Sequence, residues 1–288
     1  MVKFQVVNTQ TFSDKKKPLY DSAKRVSPAI AEIREIGNYR HLLAQLVRRD
    51  ILTRYKRSFL GVAWTMLNPL GTMLVMTFVF SNIFKASMPS VPFLVYILSG
   101  LVVWNFFAQG TNASMSGLVW GGNLLQRIFV PRTIFAVSAI GTALVNTVIA
   151  LVPLVIVMLI SKATFSWALL FMPVAILLIT CFTLGFGLMI SSMAAFFPDV
   201  MEMYQILLTA WMYLTPIIYP ETIIPERFHL VYRLNPMYWF LRVFRAPIVD
   251  QALPSLRDFG IASGIAIVML IVGWLIFTSK SDEYAYRI

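Results

Sequence analysis

Long apolar segments without charged residues alternate with short polar segments along most of this chain. The clearest example runs from Phe59 to Phe84, because no Asp, Glu, Lys or Arg occurs between Arg57 and Lys85. About 20 apolar residues with a rise of 1.5 Å each suffice to cross the hydrocarbon core of a bilayer. The pattern predicts six transmembrane helices, over residues 59–84, 92–113, 133–160, 167–195, 203–219 and 259–279.

A basic, amphipathic segment, residues 38–58, precedes the first predicted span. Leu42, Leu43 and Leu46 share one face of a helix. The polar positions of the same segment carry a cluster of basic side chains, Arg48, Arg49, Arg54, Lys56 and Arg57. A helix of this kind lies in the plane of the lipid headgroups, and a purely soluble helix is the alternative.

The distribution of Lys and Arg predicts the orientation of the spans. Segments rich in these residues stay on the cytoplasmic side of a membrane. With six spans, the internal segments carry 17 of the 24 Lys and Arg residues and the external segments carry 7. Both termini are therefore expected in the cytoplasm, as an arm over residues 1–37 and a tail over residues 280–288.

The composition agrees with lipid as the main solvent of the chain. Apolar residues make up 58% of the sequence and charged residues 13%, whereas soluble domains carry about 25% charged residues. The net charge of +11 is explained by anionic lipid headgroups, because the basic residues adjoin apolar spans. We therefore predict an all-α integral membrane protein with no nucleic-acid partner.

Two segments between the spans are predicted to form structure of their own. Residues 117–132 are glycine-rich, carry two arginines and end near Pro131, which predicts a short helix on the internal side. Residues 221–258 combine several prolines with many aromatic residues. This combination predicts two short half-helices that dip back into the outer leaflet, where neighbouring protein must cover their ends.

The sequence carries no signature of an energy-coupling or metal site. The predicted spans hold no Asp, Glu, Lys, Arg or His at depth, which argues against a proton- or sodium-coupled carrier. No G-x-x-x-x-G-K-[ST] phosphate loop, H-E-x-x-H motif or Cys/His cluster occurs. We predict no catalytic residue, cofactor or metal in this chain, so uphill transport must draw its energy from another polypeptide.

One acidic pair allows a different chemistry. Asp199 and Glu202 are three positions apart and could hold Mg²⁺ for a membrane-embedded sugar transferase. The alternative is structural: Asp199 caps the start of a helix, and Glu202 interacts favourably with the helix dipole. The structural interpretation is the one we favour.

Four motifs occur in the order known from one family. The segment Arg54–Leu70, RYKRSFLGVAWTMLNPL, resembles the opening signature of ABC-2 type transporter permeases. It is most similar to permeases that export lipid-linked polysaccharide of the O-antigen, capsule or teichoic acid type. The resemblance extends from residue 38 to the C-terminus and includes Asn123-Leu124-Leu125 with Phe129-Val130-Pro131, Phe197-Pro198-Asp199-Val200 and Leu234-Asn235-Pro236.

This resemblance implies a transport subunit and not an enzyme. It implies a homodimer in the bacterial inner membrane, with a separate ATPase subunit that holds ATP and Mg. Residues 38–58 would be an interface helix, residues 117–132 a coupling helix, and residues 221–258 an external gate. The implied cargo is a glycan linked to undecaprenyl pyrophosphate, and a drug or small-lipid exporter of the same superfamily is the alternative.

Candidate functional residues follow from the chemistry of such a cargo and from the motifs. A guanidinium pairs bidentately with phosphate oxygens, so four arginines are candidates for the pyrophosphate, with snorkelling toward headgroups as the alternative: Arg48, Arg49, Arg54 and Arg57. The candidates for sugar contacts, for which helix packing is the alternative, are Trp64, Asn68, Trp104, Phe106, Phe107 and Trp211. The candidates for ATPase contacts are Asn123, Leu125, Arg127, Phe129, Pro131, Pro198 and Asp199.

Overall fold

The computed structural model describes residues 32, 35–56, 58–84, 92–119, 131–280 and 283–284. Within these ranges the regular structure is helical and no strand occurs, which confirms the predicted all-α class. Short 3₁₀ and π-helical turns link several of the helices. The α-helices are α1 (Arg40–Tyr55), α2 (Ala63–Phe84), α3 (Phe93–Val119), α4 (Thr133–Ile160), α5 (Met172–Phe196), α6 (Val200–Tyr213), α7 (His229–Leu234), α8 (Pro236–Arg245) and α9 (Leu256–Ser279).

Five helical segments of the described chain are long and apolar enough to cross a membrane. They are α2, α3, α4, α5 with the 3₁₀ turn before it, and α9. The bounds of α4 coincide with the predicted third span, whereas α3 continues to Val119 and α9 begins at Leu256. The chain is a multi-pass membrane protein.

The predicted fifth span, residues 203–219, differs from the observed helix. α6 has 14 residues and is about 21 Å long at 1.5 Å per residue, less than the roughly 30 Å of a hydrocarbon core. Pro216 and Pro220 follow its end, and proline lacks the amide hydrogen of a helix and disfavours a helical residue before it. A sixth membrane-spanning helix is therefore not confirmed.

α3 lies at the centre of the bundle. Residues 95–104 are all buried, and α3 packs against α4 on one side and α5 on another. Near its middle, an aromatic cluster joins α3 to α5 and α6, with ring centroids 5.1 Å apart for Phe107 and Trp211 and 5.6 Å apart for Phe107 and Phe182. Each such ring pair contributes about 0.5–1.5 kcal/mol beyond area burial. We call this group the aromatic cluster: Trp104, Phe107, Phe182, Phe186 and Trp211.

α5 and α9 form the most extensive helix pair and approach each other at two glycines. A Cβ atom added to Gly273 would overlap the backbone of Gly185, and one added to Gly185 would overlap the backbone of Met269. Small residues allow such close contact between membrane helices. Gly187, two positions after Gly185, faces Ser114 of α3.

Residues 221–258 contain the two short helices expected from the sequence, α7 and α8. Asn235 stands between them and fixes their junction with its side chain. Its Oδ1 accepts hydrogen bonds from the backbone of Met237 at 3.0 Å and from Trp211 Nε1 at 2.7 Å, and its Nδ2 donates to Thr215 Oγ1 at 3.0 Å. The asparagine of the Leu-Asn-Pro motif therefore ties this hairpin to the end of α6.

A second tie is made by Arg245 at the end of α8. Its guanidinium is buried and donates to the carbonyl oxygens of Pro216 at 2.6 Å, Ile217 at 2.8 Å and Tyr96 at 3.1 Å. It also lies 3.7 Å from the centre of the Tyr96 ring. Within the described ranges, no carboxylate forms an ion pair with Arg245. Backbone carbonyls of the segment after α6 accept its hydrogen bonds in place of a carboxylate.

The chain beyond α9 folds back onto the bundle at Tyr284. This side chain is buried against Phe277, and its hydroxyl donates to Ser192 Oγ at 2.7 Å. Burial raises the pKa of Tyr284 to about 12, so the hydroxyl stays protonated at neutral pH. The contact holds the last described residues on the ends of α5 and α9.

Candidate functional site

A cavity of about 600 Å³ lies between the end of α1 and helices α2, α3 and α4. Its volume falls within the roughly 300–1,000 Å³ that is typical of small-molecule sites. The lining is unusual for a membrane bundle because four carboxamide side chains contribute to it, namely Asn68, Asn105, Gln109 and Asn146. We call it the amide cavity.

Four of the residues predicted to contact a substrate line the amide cavity together. They are Arg54 at the end of α1, Trp64 and Asn68 in the first turns of α2, and Phe106 in the middle of α3. The Nη1 atom of Arg54 donates to Gln109 Oε1 over 3.4 Å, which directs the guanidinium toward α3. The cavity thus combines one cation, two aromatic rings and several amides.

The other predicted arginines do not line this cavity. Arg48 and Arg49 border a different surface depression together with Lys56, and Arg49 forms a 2.9 Å ion pair with the neighbouring Asp50. Both arginines are exposed, which fits the alternative of snorkelling toward headgroups. Arg57 lies outside the described residues.

Three predicted sugar-contacting aromatics lie in the aromatic cluster. Trp104 and Phe107 are buried, and Trp211 is half-buried with its indole nitrogen bonded to Asn235. None of the three lines the amide cavity. In this conformation they pack against one another, which was the alternative interpretation of their role.

The predicted ATPase contacts are only partly within the described chain. Pro131 stands just before α4, and Pro198 and Asp199 stand just before α6. The remaining four lie outside the described residues: Asn123, Leu125, Arg127 and Phe129.

The acidic pair before α6 has the position expected of a helix start. Asp199 is the N-cap residue of α6, although its side chain forms no capping hydrogen bond, and Glu202 lies in the first turn. A carboxylate there interacts favourably with the helix dipole. Among the described residues, no group of three or more His, Cys, Asp or Glu side chains could hold a metal ion.

The sequence did not assign Asn105, Gln109 or Asn146 to a site. Asn146 lies near the middle of α4, where it is 6% exposed, and within the described ranges neither its Oδ1 nor its Nδ2 has a hydrogen-bond partner. An amide at the centre of an apolar span is the signal that could have identified it, because polar groups inside a membrane are costly and mark functional sites.

Comparison with known proteins identifies the family. The model of the ABC-2 type transporter family matches residues 41–249, which include the amide cavity and the two short helices α7 and α8. The O-antigen export system permease protein RfbA of Myxococcus xanthus is 30% identical over 259 residues, which cover 89% of this chain and 98% of that protein.

Two further relatives match with lower identity over similar lengths. An O-antigen export system permease protein RfbA of Klebsiella pneumoniae is 23% identical, over 87% of this chain and 96% of its own length. The polysialic acid transport protein KpsM of Escherichia coli is 22% identical, over 82% and 92% respectively. The family model covers more than half of the sequence, and the chain belongs to the ABC-2 type transporter family.

Proposed function

We propose that this chain is the transmembrane permease subunit of an ATP-driven exporter that moves lipid-linked polysaccharide out of the bacterial cytoplasm. Support comes from relatives that are named for O-antigen export or polysialic acid transport and that align over nearly their whole length. The chain would lie in the inner membrane with both termini in the cytoplasm, as the excess of internal Lys and Arg favours.

The amide cavity is the observation that carries the choice of cargo. Sugars present hydroxyl groups, which both donate and accept hydrogen bonds, and carboxamides such as Asn68 and Asn105 can do the same. Trp64 and Phe106 add flat apolar surfaces on which the less polar faces of sugar rings can rest. Arg54 supplies a single positive charge for a phosphate group.

The lipid carrier in this proposal is undecaprenyl pyrophosphate. Its tail would remain in the bilayer while Arg54, at the junction of α1 and α2, binds the pyrophosphate. Arg48 and Arg49, which are exposed on α1, would hold anionic headgroups near the entrance. This arrangement gives the three arginines different partners, in agreement with their different positions around α1.

The energy would come from a separate ATPase subunit. In the described parts of the five membrane-length helices, Asp, Glu, Lys, Arg and His occur only as Arg257 and Asp258, in the first turn of α9. A coupled proton therefore has no carboxylate, amine or imidazole of these helices to bind at depth. A homodimer, with one ATPase below each copy, is the expected assembly, because closed two-fold symmetry is the commonest arrangement of identical subunits.

The geometry does not favour the other two candidate functions. A drug or small-lipid exporter calls for a mainly apolar pocket, whereas the amide cavity carries four carboxamides. A sugar transferase would need Asp199 and Glu202 to converge on a metal or substrate. These two residues instead begin α6, and neither lines the amide cavity.

A chromosomal deletion in the native host tests the proposal. We expect surface polysaccharide to disappear while lipid-linked glycan accumulates inside the cell, measured by antibody labelling and by mass spectrometry of extracted lipid. A plasmid copy should restore export, but not when the phosphate-loop lysine of the partner ATPase is replaced. Loss of both the surface and the internal pools would indicate a role in synthesis and contradict the proposal.

A further inference from the structure

Resting on the proposed function, we infer that the amide cavity recognises the sugar joined to the lipid pyrophosphate, and that the side chain of Asn146 hydrogen-bonds this sugar. The pyrophosphate itself would bind Arg54. The cavity would thus recognise two adjoining parts of one substrate, an anion and a neutral polyhydroxylated ring.

The side-chain amide of Asn146 is buried beside the amide cavity. A carboxamide has two donor hydrogens and an oxygen that accepts two hydrogen bonds. In Asn146 both heavy atoms are buried without a partner in the described chain, although the residue borders the amide cavity. Leaving such a group unsatisfied in an apolar environment is unfavourable. A partner supplied from the cavity removes this cost.

The charge of the cavity lining limits the kind of ligand that fits. Among the lining residues, Arg54 alone carries a charged side chain, and the remainder are apolar, hydroxyl-bearing or amide residues. Arg54 ends α1, whereas Asn146 lies near the centre of the membrane-length helix α4. A ligand that contacts both must therefore present an anion to one residue and neutral hydrogen-bonding groups to the other.

The hydrogen-bonding pattern of Asn146 indicates the neutral part of the ligand. A purely apolar ligand would leave both the Nδ2 and the Oδ1 atom of Asn146 unpaired. A phosphate would accept a hydrogen bond from Nδ2 but would donate none to Oδ1. A sugar hydroxyl pair or an acetamido group offers a donor and an acceptor side by side. These groups match a carboxamide, and they adjoin the pyrophosphate in a lipid-linked glycan.

The test uses the chain purified with its ATPase partner in lipid nanodiscs. Two probes are compared, undecaprenyl pyrophosphate without a sugar and the same lipid carrying one N-acetylhexosamine, and stimulation of ATP hydrolysis is measured. For Asn146→Leu we expect the concentration of the glycosylated probe at half-maximal stimulation to rise about ten-fold. The response to the sugar-free probe should not change.

Two further variants separate recognition from a structural role. Asn146→Gln retains the amide and should recover most of the response to the glycosylated probe. Thr142→Val is the control, one turn earlier on α4. It removes a buried hydroxyl that donates to the Ser138 carbonyl and does not line the cavity. Both probes should stimulate this variant as they stimulate the unchanged protein. The melting temperature of Asn146→Leu should rise, because an unpaired polar group has been removed.

Several results would overturn the inference. Asn146→Leu could change the concentration at half-maximal stimulation equally for both probes, or for neither probe. It could also lower the melting temperature, as expected of a residue that only stabilises the fold. Suppose that the chromosomal deletion causes internal glycan to accumulate, but the two probes stimulate ATP hydrolysis equally in the unchanged protein and in Asn146→Leu. This inference then fails and the proposed function stands. Without that accumulation, the proposed function fails as well.

Discussion

Arg54 is the first residue of the Arg54–Leu70 motif and also lines the amide cavity. Its guanidinium lines the amide cavity, whereas Arg49, on the same helix, forms its ion pair with Asp50 and borders another depression. We expect Arg54→Ala to lower the rate at which polysaccharide reaches the cell surface by about ten-fold, since hydrogen bonds to charged groups contribute roughly 1.5–3 kcal/mol. Pulse labelling of surface glycan measures this rate.

Arg49→Ala is the matched control for Arg54→Ala. It removes the same charge from the same helix, and because exposed ion pairs contribute only about 0–1 kcal/mol, export should remain near its normal rate. Equal effects of the two substitutions would show that the arginines act through a general attraction to headgroups and not through the cavity.

Arg245 offers a prediction about stability. Replacing it with Gln leaves the carbonyls of Pro216, Ile217 and Tyr96 without their buried donor, and we expect a loss of about 2–4 kcal/mol. Thermal unfolding of the purified complex should show a clearly lower midpoint. Arg257→Gln, at an exposed position in the first turn of α9, should leave the midpoint unchanged, and a similar drop in both variants would refute this role of Arg245.

Single residues also show where sequence prediction ends. Trp104 and Phe106 are two positions apart, so they point about 200° apart around α3, at 3.6 residues per turn. Trp104 enters the aromatic cluster and Phe106 faces the amide cavity. The sequence identifies both as aromatic residues at depth. It does not tell which face of α3 meets α5 and α6, because that depends on contacts between distant segments.

At the scale of helices, the pair α5 and α9 depends on glycine. Gly273→Ala places a methyl group against the backbone of Gly185, so the helices must separate, and we expect a loss of about 1–3 kcal/mol, the usual cost of overpacking. Gly264→Ala, also in α9, meets no atom within 4 Å and should be neutral or slightly stabilising, since alanine favours helix over glycine. Thermal midpoints of both variants compare them directly, and an unchanged midpoint for Gly273→Ala would contradict this packing.

The short helix α6 explains the difference between the predicted and the observed fifth segment. Hydropathy averaged over residues 203–219 gives a span, because the apolar residues after Tyr213 count equally with those before it. The chain leaves the helix at this point since Asn235 and Arg245 supply hydrogen bonds to the side chains and carbonyls of the turn. Both residues are distant in sequence, so local periodicity could not reveal them, although Pro216 and Pro220 marked the position.

For the whole molecule, the apolar pattern was sufficient to predict most of the helix bundle. It did not predict the amide cavity, which polar residues within the helices form. The long helices follow from hydropathy because lipid requires each backbone to satisfy its own hydrogen bonds. The amide cavity assembles Arg54, Gln109 and Asn146 from three helices. No single segment encodes that assembly, so the sequence could supply candidates for the site but not their grouping.

The energy source of transport is a property of the whole assembly. The described spans carry no Asp, Glu, Lys, Arg or His at depth, so a proton gradient has no residue of these types on which to act. In proteoliposomes that contain the chain and its ATPase, with an imposed pH difference and equal potassium on both sides, glycan transfer should stop without ATP. It should not change when nigericin abolishes the pH difference. The electrical potential acts differently, because it acts on the charge of the cargo. The free energy of an anionic pyrophosphate falls by about 2.3 kcal/mol per charge and 100 mV when it moves toward the positive side.

An imposed potassium diffusion potential, positive on the side that receives the glycan, should therefore accelerate transfer, while reversal of its sign should slow it. An ATPase with its phosphate-loop lysine replaced serves as the control, and with it no potential should drive net transfer. In the separate nigericin experiment, at constant ATP and with equal potassium on both sides, slower transfer would show that protons are coupled to export through a group that the described spans do not contain. The separation of these two gradients follows from a single feature of the sequence, since spans without Asp, Glu, Lys, Arg or His at depth leave the charge of the cargo as the main charge that a field moves across the membrane.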